Sequence, residues 1–204
     1  AEIYLADSLF KLELYMPALY YYSDLFKAGL KNRYYLNSIE GLLEVRRKLR
    51  DHFLVPTLIN AYYNPEGYGQ LDPMAINEIN YLIGSMSYYQ GKYTDAQSFL
   101  EFIPPEAGLR YYQARYLLAI IALRRGDPQG AISLLRGIYD AIDVFDSDPE
   151  RHRMWQLAVL GIARSHYGIG SYEMAVEWFQ KIPRFDSMWF VALYEGAWAY
   201  FQLE

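Results

Sequence analysis

Residues 83–103 read IGSMSYYQGKYTDAQSFLEFI, and the spacing of small and large residues in this stretch recurs twice further along the chain. A small residue, Gly84, is followed by Gly91, then by Ala96 and Leu100. The later copies have the same spacing, with Leu118-Ala119, Gly126, Ala131, Leu135 and Ile138 in one and Ile162-Ala163, Gly170, Ala175, Phe179 and Ile182 in the other. The equivalent alanines are 35 and 44 residues apart. This indicates a repeat of about 34 residues with an insertion of about ten before the third copy, and such a period is typical of helical repeat proteins.

The recurring positions suit a pair of antiparallel helices. Gly84 and its equivalents face the alanine of the second helix, so the two helices can approach closely. Gly91 and its equivalents end the first helix, where a left-handed conformation is needed and glycine adopts it readily. Three helix starts are marked by an N-capping aspartate before a proline, at Asp72-Pro73, Asp127-Pro128 and Asp148-Pro149.

The pattern resembles the tetratricopeptide repeat (TPR), which has a large-small pair on its first helix, a Gly-x-aromatic turn and a small-then-aromatic pattern on its second helix. Gly91 with Tyr93, and Gly170 with Tyr172, fit the turn signature. The resemblance implies an all-α fold, a right-handed α-solenoid of TPR-like helix-turn-helix repeats. It also implies that the first helices line a concave surface on which such proteins usually bind their ligands.

The rest of the chain is less regular. A copy at the start has Leu5-Ala6 and Ala18 in place, with Glu13 where the turn glycine is expected. Two helices are predicted near 34–48 and 51–63, although no register there supplies the full signature. Residues 64–73 have the Gly and Pro density of a loop. We predict one TPR-like solenoid domain over residues 1–204, with five helix pairs and one unpaired C-terminal helix, at about 1–30, 33–64 (divergent), 74–106, 109–143, 150–184 and, as a half repeat, 187–204.

Composition excludes several classes of function. The 204 residues include 19 Lys and Arg against 24 Asp and Glu, a net charge of −5. The first half has 9 basic and 12 acidic residues and the second has 10 and 12, so neither half offers a basic pole for nucleic acid or an anionic membrane. The longest apolar run, Tyr116 to Leu123, is far shorter than the ~20 residues of a membrane span. There is no cysteine, hence no disulfide, thiol nucleophile or thiolate metal site.

Sequence motifs for catalysis or metal binding are absent. There is no hydrolase, phosphate-loop or dinucleotide motif. The run DSDPE at 146–150 resembles the start of a calcium loop, but Leu157 stands where a bidentate glutamate is required. His166 is expected to be a packed histidine with its hydrogen bonds satisfied. We therefore predict no catalytic residue, no metal, no cofactor and no enzymatic activity.

Two basic stretches are also interpreted as structural. Arg46, Arg47, Lys48 and Arg50 are flanked by Glu40, Glu44 and Asp51, which indicates a mixed, solvated helix face. The run RYYQARY at 110–116 interleaves cations with aromatic rings, as single-strand binders do. The net negative charge argues against nucleic acid as a partner.

The candidate binding residues follow from the TPR resemblance and from the aromatic content of 18%, which includes 22 Tyr. Rigid aromatic side chains are common anchors at protein interfaces, although each ring could equally pack between repeats. Leu160 also falls in the concave set. The predicted partner-binding residues are Tyr81, Ser85, Tyr88, Tyr89, Tyr116, Ile120, Arg124, Arg164, Tyr167, Tyr194, Trp198 and Phe201.

The sequence thus predicts a non-catalytic scaffold that binds a protein or peptide partner in an aromatic groove. Two alternatives remain open: a self-assembly module that forms homo-oligomers through the unpaired C-terminal helix, and a glycan-binding accessory domain with Glu78 or Glu195 beside aromatic rings. The run ALYEGAWAYFQL at 192–203 resembles repeat segments of large bacterial cell-envelope proteins of motility or secretion machines. That resemblance favours the periplasm or cell envelope over the cytoplasm. The unpaired apolar face of the last helix indicates a fragment of a longer repeat protein, or a chain capped by another chain.

Overall fold

A computed structural model of the chain describes residues 2–62, 64–66 and 68–203. Within these residues the regular secondary structure is helical throughout, with three short 3-10 turns at Gly29–Lys31, Tyr68–Gln70 and Pro105–Ala107. The α-helices are α1 (Glu2–Lys11), α2 (Tyr15–Lys27), α3 (Tyr35–Leu49), α4 (Leu54–Tyr62), α5 (Pro73–Tyr89), α6 (Tyr93–Glu101), α7 (Leu109–Arg124), α8 (Pro128–Ala141), α9 (Pro149–Gly168), α10 (Tyr172–Phe179) and α11 (Trp189–Phe201).

The chain forms two compact units, Ala1–Phe102 and Ile103–Glu204. In the first unit, α1 to α6 pack in consecutive order, each helix on its neighbour, apart from the looser contact of α3 with α4. Its core contains the stacked rings of Phe26 and Tyr35, whose centroids are 5.4 Å apart. The predicted loop at 64–73 contributes Tyr68 and Leu71 to this core, while Gly67 of that loop and Tyr63 lie outside the described residues.

In the second unit, α7 to α11 also pack in consecutive order, and α7 contacts α9. The longest helix, α9, lies at the centre, with ten of its twenty residues buried. Its core partners include Leu135 on α8 and Phe179 on α10. The long insertion predicted before the third clear repeat forms the segment from 142 to 148 and the first turns of α9.

The turn between the helices of a pair has one backbone geometry throughout the described residues. The turn residues are Glu13, Arg50, Gly91, Gly126 and Gly170, and all have a positive φ between 50° and 78°. In each turn, the N–H of this residue donates to the carbonyl three residues earlier, and the next N–H donates to the carbonyl five residues earlier. The predicted left-handed glycines are confirmed, and the same turn forms at Glu13 and Arg50 without glycine.

Arg50 fixes the repeat register of the divergent pair α3–α4, which the sequence left undetermined. The buried Ala96 and Leu100 lie five and nine residues after Gly91, and Val55 and Ile59 lie at the same distances after Arg50. Both Val55 and Ile59 are fully buried. The pair therefore keeps the buried positions of the other repeats, while α3 and α4 contact each other more loosely than the helices of those repeats do.

Local signals explain where the other helices begin and how closely they pack. Asp72, Asp127 and Asp148 cap α5, α8 and α9 by accepting hydrogen bonds from backbone N–H groups of the first turn, as predicted. At Gly84 an added Cβ would lie 2.7 Å from Leu100 Cγ and 3.3 Å from the Ala96 carbonyl oxygen. A larger residue at this position would force α5 and α6 apart.

Candidate functional site

An exposed row of aromatic side chains runs along α11. Phe190, Tyr194, Trp198 and Phe201 are spaced by four, four and three residues, so they share one face of the helix. All four are at least half exposed. The ring centroids of Tyr194 and Trp198 are 6.5 Å apart and those of Trp198 and Phe201 are 6.3 Å apart, both edge to face. This α11 aromatic row includes three of the predicted binding residues.

A small cavity of about 210 Å³, the α9–α11 slot, lies beside this row. It is lined by Arg164, Tyr167, Phe179, Glu195 and Trp198. The guanidinium of Arg164 donates from Nε to Glu195 Oε2 and from Nη2 to Glu195 Oε1, both at 2.7 Å. The hydrogen bonds to Glu195 raise the pKa of Arg164 above its already high value. The slot thus brings together three predicted residues, Arg164, Tyr167 and Trp198, with an ion pair at one side.

The other candidates of the second unit differ in exposure. Tyr167 packs edge to face against Tyr172 at 5.3 Å. Tyr116 is partly buried against the core, Ile120 is half-buried and Arg124 is exposed. The prediction for Leu160 is wrong, because this side chain is only 1% exposed. It belongs to the core that α9 forms with its neighbouring helices.

The candidates of the first unit lie on α5. Tyr81 is partly buried against the core, and Ser85 Oγ donates to the Leu82 carbonyl at 3.0 Å. The Tyr88 ring lies 5.3 Å from that of Tyr89 and 5.9 Å from that of Tyr93, and Tyr89 is exposed. Tyr88 and Tyr89 are therefore the candidates that α5 brings together at its surface.

A second depression, the α10–α11 groove, lies on the other side of α11. Its volume is about 410 Å³. The walls are mostly apolar and come from Val176, Phe179, Gln180, Ile182, Arg184, Trp189, Ala192, Leu193, Gly196, Ala197 and Tyr200. Because this groove and the aromatic row lie on different faces, α11 exposes apolar side chains in two directions.

A partly buried polar cluster positions the start of α11. His152 Nε2 donates to Asp186 Oδ2 at 2.8 Å, and the Gln156 amide donates to Asp186 Oδ1 and, at 2.9 Å, to Ser187 Oγ. The N–H of Met188 also donates to Asp186, at 3.0 Å. Burial acts to raise the pKa of Asp186, but these hydrogen bonds and the His152 ring together lower it. The cluster ties α9 to the turn from which α11 begins.

The other polar groups singled out from the sequence are engaged within the fold. Glu78 pairs with Arg46 at 2.6 Å, and both side chains are largely buried, so the solvated face predicted for Arg46 is wrong. Arg115 lies over the Tyr111 ring, 4.9 Å from its centroid. In the described residues no group of three or more His, Asp or Glu side chains is placed to hold a metal ion.

His166 differs from its prediction. Its two ring nitrogens are buried and have no hydrogen-bond partner among the described residues, so the expectation of a satisfied histidine is wrong. Burial, and then the nearby Arg136, lower the pKa of His166. Both effects favour the neutral imidazole.

One site residue, Phe190, and one site contact, the Arg164–Glu195 ion pair, were not predicted from the sequence. Phe190 stands four residues before Tyr194, so helical spacing could have found it. Glu195 could not be found as the partner of Arg164, because the two are 31 residues apart and only the packing of α9 with α11 brings them together.

The helix pairs define the class: the chain is an all-α protein of TPR-like helical repeats, as predicted. The structure is similar to the crystal structure of MamA, with a TM-score of 0.57 and 19% sequence identity over 87% of this chain and 91% of that chain. No family model matches the chain, and its sequence matches no curated protein. Among the described residues, no helix has both the length and the apolar character to span a membrane.

Proposed function

We propose that this chain is a non-catalytic scaffold that binds a protein or peptide partner through exposed aromatic side chains of its first helices. The observation that carries the proposal is the α11 aromatic row beside the α9–α11 slot. Four exposed aromatic side chains lie together on one face of α11 and form an apolar patch. Contiguous exposed apolar patches often mark sites of protein interaction. Such rings lose little conformational entropy on binding and often dominate the energetics of an interface.

The arrangement of polar groups supports binding rather than catalysis. The carboxylate of Glu195 accepts two hydrogen bonds from Arg164, and that of Glu78 pairs with Arg46. Both carboxylates are thus already engaged by a cation of the same chain. The alternative of a glycan-binding site at Glu78 or Glu195 gains no support from this geometry.

The partner can be tested by photocrosslinking from within the site. Benzoylphenylalanine replaces Phe201 in the aromatic row, and Phe53 in a matched control with similar exposure in the first unit. Irradiation in cells of the source organism should give a crosslinked partner from position 201 and none from position 53. The additional change Trp198→Ala should abolish the crosslink. Equal crosslinking from both positions, or none from position 201, would refute the proposal.

Self-assembly is a second candidate, and the α10–α11 groove favours it. This groove has the apolar walls that a packed helix would cover, so a second copy could pack there and form a homo-oligomer. Sedimentation of the purified chain at rising concentration tests this function. Leu193→Glu should abolish any association, whereas Tyr194→Ala on the other face should not.

We further propose that the scaffold works in the periplasm or cell envelope of a bacterium, in a motility or secretion machine. The support is the resemblance of residues 192–203 to envelope repeat proteins. Cell fractionation with an antibody against the chain tests this, and recovery from the cytoplasmic fraction alone would refute it.

A further inference from the structure

The α9–α11 slot has the size for one side chain. Its volume of about 210 Å³ is below the range of about 300–1,000 Å³ that is usual for small-molecule sites. Tyr167, Phe179 and Trp198 supply its apolar walls. A bulky side chain of a bound peptide, such as Phe, Leu or Met, would be buried there as an anchor.

The guanidinium at the side of the slot is fixed and still has hydrogen-bonding capacity. An arginine carries five N–H donors, and Glu195 accepts from Nε and from one N–H of Nη2. The two N–H groups of Nη1 and the second of Nη2 face away from Glu195, and the Arg164 side chain is 48% exposed. Because the ion pair holds the guanidinium in place, a second carboxylate can bind this edge at a reduced entropic cost.

The charge of the surrounding helices favours an acidic partner. In the second unit the first helices, α7, α9 and α11, carry six arginines and two glutamates. The second helices, α8 and α10, carry one arginine and three acidic residues. The positive charge of this unit is thus concentrated on the helices that present the site, which attracts a negatively charged segment and repels a basic one.

We propose that the α9–α11 slot is the anchor site for an acidic, apolar segment of the partner protein. One bulky apolar side chain of that segment enters the slot between Tyr167 and Trp198. A neighbouring Asp or Glu side chain accepts hydrogen bonds from the Nη1 edge of Arg164. This inference rests on the proposed function and specifies the chemistry of its partner.

Peptide selection tests the inference without knowledge of the partner. A library of random heptapeptides is displayed on phage, with each C-terminus joined to the coat protein so that no terminal carboxylate is present. Selection on the purified chain should enrich sequences in which a bulky apolar residue stands within two positions of Asp or Glu. The inference would be overturned if the selection enriched basic peptides or apolar peptides without an acidic residue, or if it enriched no peptide at all.

Matched variants then locate the binding site of the most enriched peptide, synthesised with amidated C-terminus. Trp198→Ala and Arg164→Gln should each weaken its affinity by about tenfold or more. The controls are Tyr200→Ala, on the other face of α11 with 51% exposure against 50% for Trp198, and Arg153→Gln on α9. Both should change the affinity less than about twofold, with helicity unchanged in all four variants. If the two controls lost as much affinity for the peptide as the two slot variants, the assignment of the binding site to the α9–α11 slot would be wrong.

A spectroscopic readout is independent of affinity. With 5-fluorotryptophan in place of the four tryptophans, the peptide should shift the ¹⁹F resonance of Trp198 and leave those of the buried Trp155 and Trp178 in place. An unshifted Trp198 resonance at saturation would refute the site. If crosslinking from position 201 succeeds but selection yields no acidic peptides, the inference is wrong and the scaffold function stands. If both experiments fail, the inference and the scaffold function are both wrong.

Discussion

The turns at Gly126 and Arg50 have the same backbone path, but only the first has the residue that a left-handed conformation favours. A non-glycine residue in this conformation costs about 1–2 kcal/mol. In the α3–α4 pair that cost is offset by the burial of Val55 and Ile59, each worth about 1.5–3 kcal/mol. The comparison indicates that burial at these two positions can maintain the register of a repeat whose turn lacks glycine.

The largest expected effect tests whether the divergent pair has the same packing as a regular one. Ile59→Ala and Leu100→Ala should each lower the free energy of unfolding by about 3 kcal/mol, because both side chains are fully buried at equivalent positions. Leu54→Ala, on the exposed side of α4, should change it by less than about 0.5 kcal/mol. Urea denaturation followed by circular dichroism measures all three, and the equivalence is wrong if Ile59→Ala is as mild as Leu54→Ala.

A second prediction breaks a regular turn. Gly126→Ala should lower the free energy of unfolding by about 1–2 kcal/mol, because the added Cβ strains a backbone with φ of 78°. The control is Gly137→Ala, an exposed position within α8 where a Cβ would meet nothing within 4 Å. That change should raise stability by about 0.5–1 kcal/mol. Thermal denaturation distinguishes the two, and the same sign for both would contradict the role of Gly126.

A third prediction concerns the N-cap of α4, in the α3–α4 pair, which lacks the full TPR signature. Asp51 accepts hydrogen bonds from the N–H groups of Phe53, Leu54 and Val55 at the start of α4. Asp51→Ala should lower the free energy of unfolding by about 1 kcal/mol. Asp24→Ala, at an exposed aspartate in α2, should have less than half that effect in the same denaturation experiment.

The carboxylate of Asp51 should also make the free energy of unfolding depend on pH. Burial acts to raise the pKa of Asp51, but its three backbone hydrogen bonds and Arg46 lower it. Since the folded pKa lies below the unfolded one, the stabilisation is complete above about pH 4 and is lost as the pH falls through the folded pKa. Asp51→Asn should remove this part of the acid destabilisation, and an unchanged acid profile would contradict it.

The smallest expected effect relieves strain at an irregular turn. Glu13→Gly should raise the free energy of unfolding by about 0.5–1 kcal/mol, because glycine adopts the left-handed conformation without strain but loses more backbone entropy on folding. Glu13→Ala has the same loss of charge and should give no gain. If both variants are equally stable, the charge rather than the backbone determines the effect.

Much of the fold could be predicted because its signals are local. Left-handed glycines, Asp-Pro caps and the period of buried residues each act within a few positions, and the structure confirms them at Gly91, Gly170 and Asp148. The register of residues 33–64 could not be predicted, since Arg50 has no preference for its conformation. It is imposed by packing that involves α2 and α5 as well as α3 and α4.

The site was predictable in one part only. Tyr194, Trp198 and Phe201 share a helix face by spacing alone, so they could be placed from the sequence. The Arg164–Glu195 ion pair and the burial of Leu160 depend on how α9 meets its neighbours, which no local pattern encodes. Their part in partner binding stays a prediction until the variants are measured.

The consecutive packing of helices within each unit also bears on how the protein is made. Contacts between neighbouring helices have a short sequence separation, and proteins with such contacts fold in microseconds to milliseconds. At about 5–20 residues per second, synthesis of one repeat of about 34 residues takes seconds. Each new helix can therefore pack on the helices already made soon after it leaves the ribosome, before the next pair has been translated.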